Sequence, residues 1–491
     1  MALFHTINSM SEVRNLEPKQ VWNHFEDLNA TPRPSKKEER VIKFMEDFGE
    51  SLGLKTYTDK AGNVIVKKKA TAGMESRKTV VMQAHLDMVH QKNSDTNFDF
   101  NTEGIQSYID NDWVKAKGTT LGADNGMGVA SIMAVLASDD IAHPNIEALF
   151  TIDEETGMTG AFELEQGILD GKILLNLDTE DDDEFSIGCA GGIDTNTFYE
   201  YTQTQPADGS KGYKISVTGL KGGHSGMDIH LGRGNANKIM NRLLLGTDEK
   251  GVRIAKVDGG SLRNAIPRES FAVIALNDEN YLSEFEKRAA VLKAELKFVE
   301  TELTITIEPC DLPVQVMTTA DQVKLTHAIN AVHNGVYGMS ATIPDLVETS
   351  SSLARVIVEN GEFKTQSLQR SSVETAKMDI AHSIGSVFHL MGCMVEHTGS
   401  YPGWEPNPNS EILKLMIEKY RNRFNEEPKV QACHAGLECG ILGEKYPEWD
   451  MISFGPTIKN PHSPDEKVNI GSVQKFWSFL VDVLKDIPEE R

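Results

Sequence analysis

Strand-like and helical patterns take turns along the first part of this chain. NVIVKK, TVVMQAHLDMV, NIEALFTIDEE and KILLNLD are short apolar runs, whereas PKQVWNHFEDL and KKEERVIKFMEDFGESLGL carry apolar residues at helical spacing. Between two of the strands, GMGVASIMAVLAS is apolar on most faces and reads as a buried helix opening at a glycine-rich turn. Strands that alternate with helices predict a three-layer α/β domain with a mixed, mostly parallel sheet. In open sheets of this kind, ligands collect beyond the carboxyl ends of the strands.

The pattern changes after DTEDDDEFSIGCAGG. From there YKISVTGL, VRIAKVDGG, SFAVIAL and ELTITIEP alternate apolar and polar residues, as half-exposed antiparallel strands do. Ala236, Ile239, Met240, Leu243 and Leu244 mark the buried face of a helix among them. Prolines, glycines and asparagines cluster in EHTGSYPGWEPNPNSE, and the α/β pattern then resumes through SEILKLMIEKYRNRF, DMISFGP and a last helix from Ser472. That helix lines Val473, Phe476, Trp477, Leu480 and Leu484 along one side. At 491 residues one core is not expected. The economical arrangement is one α/β domain built from residues 1–188 and 400–491, interrupted by an inserted α+β domain over 189–399.

The formal net charge is −24. It argues against nucleic acid and against an anionic membrane surface, both of which demand basic patches, and it suits a site that collects cations. Five scattered cysteines without a C-x-x-C pair suggest neither a disulfide framework nor a thiolate metal site. The first twenty residues lack a basic segment followed by an apolar one, and no run nears the roughly 18 apolar residues of a membrane span. A cytoplasmic protein is expected.

Polar groups gather at the ends of the apolar runs. VVMQAHLDMV carries His85 and Asp87 two residues apart, and EALFTIDEETGMTG ends in Asp153, Glu154 and Glu155. LLNLDTED stops at Asp178, Asp124 lies in the glycine-rich turn GADNGMGVA, and His462 lies in the proline-flanked loop GPTIKNPHSPDEKVNI. Singly, each has a plain reading: a surface pair, a solvated turn, a helix N-cap, a surface histidine. Together, parallel strands would bring them to one rim. Carboxylates and imidazoles without cysteine are the ligands of a catalytic zinc or a related divalent ion. Asp124, Glu155 and Asp178 bring three negative charges; two divalent ions and one hydroxide would balance them.

The motifs QAHLDMV, GADNGMGVA, TIDEETGMTGA, NLDTED, GGHSGMDIHLGRGNA, RNAIPRE and NPHSPDEKV occur in this order. They resemble those of the two-zinc peptidases related to aminoacylase and glutamate carboxypeptidase, and most closely the branch of aminoacyl-histidine dipeptidases, or cytosolic non-specific dipeptidases. The resemblance implies that His85, Asp124 and Asp178 hold one ion and that Asp124, Glu155 and His462 hold the other. The ions would be zinc, with manganese or cobalt as alternatives. It implies that Glu154 is the general base and that Asp87 is an acid behind the ligands, orienting them. The inserted domain resembles a lid. In it His224 would support the developing oxyanion, and Asn264 and Arg370 would grip the peptide backbone and the terminal carboxylate. His434 would line the substrate pocket or be a buried structural histidine; His230 reads as a surface residue. The expected activity is hydrolysis of short peptides with a free carboxyl end. N-acyl amino-acid deacylation, tripeptide cleavage and a non-catalytic binding role are the competing readings. The branch also implies a homodimer formed through the inserted domain.

Overall fold

The computed structural model describes residues 11–490, so the first ten residues of the N-terminal reading above lie outside the described residues. The chain forms two compact units. One comprises the residues up to Gly188, Pro406–Ala432 and those from Glu438 on; the other comprises Cys189–Glu405 and Cys433–Leu437.

In the first unit an eight-stranded sheet runs Lys55–Thr58, Val64–Lys68, Ile146–Thr151, Val80–His85, Ile173–Asn176, Asp450–Ser453, Glu184–Cys189, Lys429–Cys433. Its four middle strands, from Ile146–Thr151 to Asp450–Ser453, are parallel neighbours, while the pairs on the Lys55 side are antiparallel. Every residue of Val80–His85 and Ile146–Thr151 is buried, as expected for central strands covered on both faces. Helix Ala123–Ala137 packs on Val80–His85 and on helix Lys19–Asn29, and helix Glu411–Phe424 packs on Asp450–Ser453 and on helix Ile470–Lys485. Register sets His85 opposite Thr151 and Gln83 opposite Asn176, so the carboxyl ends of the middle strands share one rim. A small four-stranded sheet in the same unit pairs Ile458–Lys459 with Lys467–Asn469. The loop between those two strands carries His462, in the left-handed region with φ of 61°.

The second unit is a nine-stranded antiparallel sheet with helices Ala236–Leu244, Asn280–Leu296, Thr319–Ala331 and Glu374–Met391 contributing to one apolar core. Its boundaries differ from the expected 189–399 at two points. The chain leaves it after Glu405, because strand Met394–Tyr401 pairs with Gly191–Glu200 and Trp404 exchanges two backbone hydrogen bonds of 2.9 Å with Cys189. The segment around His434, expected in the α/β domain, belongs to this unit instead, since the Ala190 N–H donates to the carbonyls of Cys433 and Ala435. No helix among the described residues is long and apolar enough to cross a membrane.

Candidate metal centre

The strand that carries His85 ends at that residue, and Asp87 lies just beyond it. His85 Nδ1 is 3.2 Å from the Asp87 carbonyl oxygen and 3.3 Å from Asp87 Oδ1. This fixes the ring so that Nε2 faces Asp124 Oδ1 at 3.2 Å and Asp178 Oδ1 at 3.5 Å. Asp124 Oδ2 is 3.3 Å from His462 Nε2, which is 3.0 Å from Glu155 Oε2. Asp124 therefore turns one oxygen towards a histidine–aspartate pair and the other towards a histidine–glutamate pair.

Two buried groups far away in sequence hold Asp124 in place. The Glu466 carboxylate accepts the N–H groups of Leu121, Gly122, Ala123 and Asp124, at 2.7, 2.9, 2.7 and 3.2 Å. Arg33 is almost fully buried and donates to the carbonyls of Leu86, Asp87 and Gly122. It ties the turn after one strand to the turn before the buried helix. Gly122 has φ of 70°, and a Cβ there would lie 2.5 Å from Arg33 Nη2.

The acidic triplet is resolved by a change of structure at its centre. Asp153 takes a left-handed φ of 53°, and a short helix begins at Glu154. Asp87 meets that helix end: Oδ1 accepts the Glu154 N–H at 3.0 Å, and Oδ2 accepts the Glu155 N–H at 3.4 Å and the Ser35 hydroxyl at 2.8 Å. Asp153 itself accepts the hydroxyls of Thr156 and Thr159. Glu38, Asp87 and Asp153 form a second acidic group, already engaged by these donors and by the Lys36 N–H.

Burial together with Asp178, Glu155 and Glu438 pushes the Glu154 carboxyl well above the carboxylate range, against His85. Burial raises Asp178 to about 6, and Glu180 and Glu438 to about 8. Hydrogen bonds to Asp124 and Glu155 lift His462 to about 11, while those from His462 and His85 hold Asp124 low against its own burial. The pocket thus has more negative charge than its own cations balance. Glu155 Oε1 is also buried without a hydrogen-bond partner among the described residues, which costs about 1–3 kcal/mol unless a cation meets it. Donor atoms of His85, Asp124 and Glu155 lie within 4.8 Å of one another, and the set is nitrogen and oxygen only. The residues fit a pair of divalent ions sharing Asp124.

The second unit gathers three of the expected substrate residues. Arg370, on strand Glu362–Ser371, donates to the Tyr401 hydroxyl at 2.8 Å and lies 3.4 Å from His224 Nε2. His434 Nε2 is 2.8 Å from the hydroxyl of Ser350, the residue opposite Arg370 in the strand pair. Burial and the nearby Arg370 lower His434 to about 3. Asn264 is exposed, with its carbonyl bound by the Ser225 N–H at 2.8 Å; His230 is exposed as well.

Residues 81–486 match the model of Peptidase family M20/M25/M40. The chain belongs to this family. It is a metallopeptidase, a hydrolase. It is 43 % identical, over 98 % of its own length and all of the relative's, to the cytosol non-specific dipeptidase of Escherichia coli strain K12. The crystal structure of aminoacylhistidine dipeptidase from Vibrio alginolyticus matches it with a TM-score of 0.93 and 46 % identity, covering 98 % of this chain and 99 % of that one. Aminopeptidase PepT from Bacillus cereus shares the fold, with a TM-score of 0.57 at 15 % identity over 96 % of this chain and 99 % of that one. Sequence reasoning passed over several residues of this M20-family centre. Arg33 carries no pattern that marks it, whereas Asn125, which donates to Asp178, and Glu466 lie inside the motifs GADNGMGVA and NPHSPDEKV, where their proximity to Asp124 and His462 was the available signal. Glu438, which accepts from Gln83 at 2.6 Å and Thr151 at 2.7 Å beneath the rim, had only its acidity inside an apolar stretch as a signal.

Proposed function

We propose that this M20-family enzyme is a dipeptidase acting on substrates with a free carboxyl end, with two divalent ions, zinc foremost and manganese or cobalt as alternatives. The observation that carries the reading is Asp124, whose two oxygens face two separate histidine–carboxylate pairs. His85, Asp124 and Asp178 would hold one ion; Asp124, Glu155 and His462 would hold the other. The chemistry supplied by bound ions is acidification of a water and polarisation of the scissile carbonyl. Glu154 would take a proton from the attacking water and return it to the leaving amine. Its position supports this role, because Asp87 holds the Glu154 N–H and orients His85 through Nδ1. In the second unit His224 donates to the carbonyl oxygen as it gains charge, and the Arg370 guanidinium takes the terminal carboxylate. Asn264 holds the peptide backbone, and His434 lines the substrate's place. The name of the Escherichia coli relative supports a cytoplasmic location. Two copies pair through the second unit, where strand Met394–Tyr401 forms a sheet edge beside the exposed Leu390 and Met394.

The test is hydrolysis of a panel of dipeptides, tripeptides and N-acetylated amino acids, before and after chelation and with zinc, manganese or cobalt restored. Dipeptides should be cut fastest, and activity should vanish with chelation and return with metal. A preference for tripeptides or N-acetylated amino acids, or indifference to chelation, would overturn the reading.

A further inference from the structure

We infer that Asp228 is a positioning residue that fixes His224 as a neutral donor through its Nε2–H, an inference that rests on the dipeptidase reading above. His224 lies on the two-residue strand Gly223–His224, paired antiparallel with Ala265–Ile266. Asp228 closes the turn that follows from both sides. Its Oδ2 accepts the His224 N–H at 2.8 Å, and its own N–H donates to the His224 carbonyl at 3.1 Å. Arg233 lies 3.2 Å from the same carboxylate oxygen and donates to the Gly222 carbonyl at 2.6 Å.

The closed turn aims two backbone N–H groups at His224 Nδ1, from Gly226 at 3.2 Å and Met227 at 3.0 Å. An imidazole nitrogen facing two donors carries a lone pair, so the neutral ring has its proton on Nε2. Burial and the Arg370 guanidinium lower the ring to about 4, against Asp228, which keeps it neutral in this tautomer. Nε2 meets only Arg370 Nη2, at 3.4 Å, a longer contact than either of those at Nδ1, so Nδ1 is the nitrogen that the surrounding donors hold bare. Arg370 Nε, also buried, has no partner among the described residues. Two glycines let the turn close this tightly. A Cβ at Gly223, where φ is 135°, would lie 2.1 Å from Arg233 Nη1, and one at Gly226 would lie 2.0 Å from the His434 carbonyl oxygen. His224 is therefore built to give a hydrogen bond and not to take a proton, and the backbone sets its tautomer in place of a carboxylate at Nδ1.

The metal-loaded enzyme labelled with ¹⁵N-histidine tests this directly. Long-range ¹H–¹⁵N spectra, with His224 assigned by its loss in His224→Gln, should show a bare Nδ1 and a protonated Nε2. Asp228→Ala should mix the tautomers and lower kcat about 10- to 100-fold, less than the roughly 10²- to 10³-fold cost of losing an oxyanion donor, with KM within about threefold. Asp228→Asn keeps an oxygen for the His224 N–H and should recover most of the turnover. A wild-type spectrum with the proton on Nδ1 overturns the inference, as does Asp228→Ala with full kcat or with reduced kcat and an unchanged tautomer. Should Asp228→Ala not fold, the wild-type spectrum still decides. A wild type that cuts no dipeptide defeats the functional reading alone, because the spectrum reports the tautomer independently.

Discussion

Glu154→Gln and Glu155→Ala separate two neighbouring carboxylates that the structure treats differently. Among the described residues the Glu154 side chain accepts no hydrogen bond; only its backbone N–H is engaged, by Asp87 at 3.0 Å. Exchanging its carboxylate for an amide of the same shape breaks no side-chain hydrogen bond and removes the proposed base. A positioned general base contributes roughly 10²- to 10⁴-fold, so at about 1.36 kcal/mol per decade the barrier should rise by about 3–5 kcal/mol. Glu155 instead sets Oε2 3.0 Å from His462 Nε2 and buries Oε1 without a partner. Truncating it removes one of the three groups proposed for the second ion while leaving His85 and Asp178 facing Asp124. Steady-state dipeptide hydrolysis and metal analysis of the gel-filtered protein give both quantities. Glu154→Gln should keep about two ions per chain and lose two to four decades of kcat; Glu155→Ala should fall towards one ion. Equal metal loss in both variants, or a Glu154→Gln enzyme within tenfold of wild type, would refute the division of labour.

Glu466→Gln should leave two of its four amide N–H partners facing an NH₂ group. At about 1–3 kcal/mol per buried unsatisfied donor, chemical denaturation should show a loss of about 2–6 kcal/mol, with weaker metal retention. His434, lowered to about 3 by burial and Arg370, favours the neutral folded state; its contribution is complete above the unfolded value of about 6.5 and is lost as pH falls towards 3. The shift bounds that contribution at about 5 kcal/mol, so His434→Gln should flatten the decline of melting temperature between pH 6.5 and 4; an unchanged slope would count against it. Phe185 is 1 % exposed, stacks on Phe479 at 5.6 Å and meets Tyr420 and Phe454 edge-on. Phe185→Ala should cost about 3–5 kcal/mol in denaturant unfolding, and a loss below about 1 kcal/mol would show that the cavity collapses.

The parts of this molecule that were legible in its sequence are those in which local pattern and tertiary role coincide. Strands Val80–His85, Ile146–Thr151 and Ile173–Asn176 are buried runs bounded by polar groups, so each announced both its structure and the rim where it ends. The helix after Gly122 was legible for the same reason: it is buried almost throughout and read as apolar on most faces. Strand order and the antiparallel outer pairs were not, because registers such as Val64 against Phe150 join residues whose sequences carry no mark of one another. His434 was assigned to the wrong unit because its segment follows strand Lys429–Cys433 of the first sheet; what decides is the Ala190 amide, more than 240 positions earlier, that binds Cys433 and Ala435.

The acid triplet shows where a composition argument stops and geometry takes over. Three adjacent carboxylates repel one another in an extended run, yet the structure disperses Asp153, Glu154 and Glu155. A left-handed Asp153 ends the extended run and turns its carboxylate to two threonine hydroxyls. A helix starting at Glu154 then separates the next two side chains by about 100° around its axis. One lies near His85 and Asp178 as a raised, unbonded acid and the other is fixed against His462. Asp87 makes this work, since the same carboxylate that holds His85 at Nδ1 also receives the first two N–H groups of that helix. Glu154 and Glu155 are therefore placed by one buried group, and a shift of either would be felt by both.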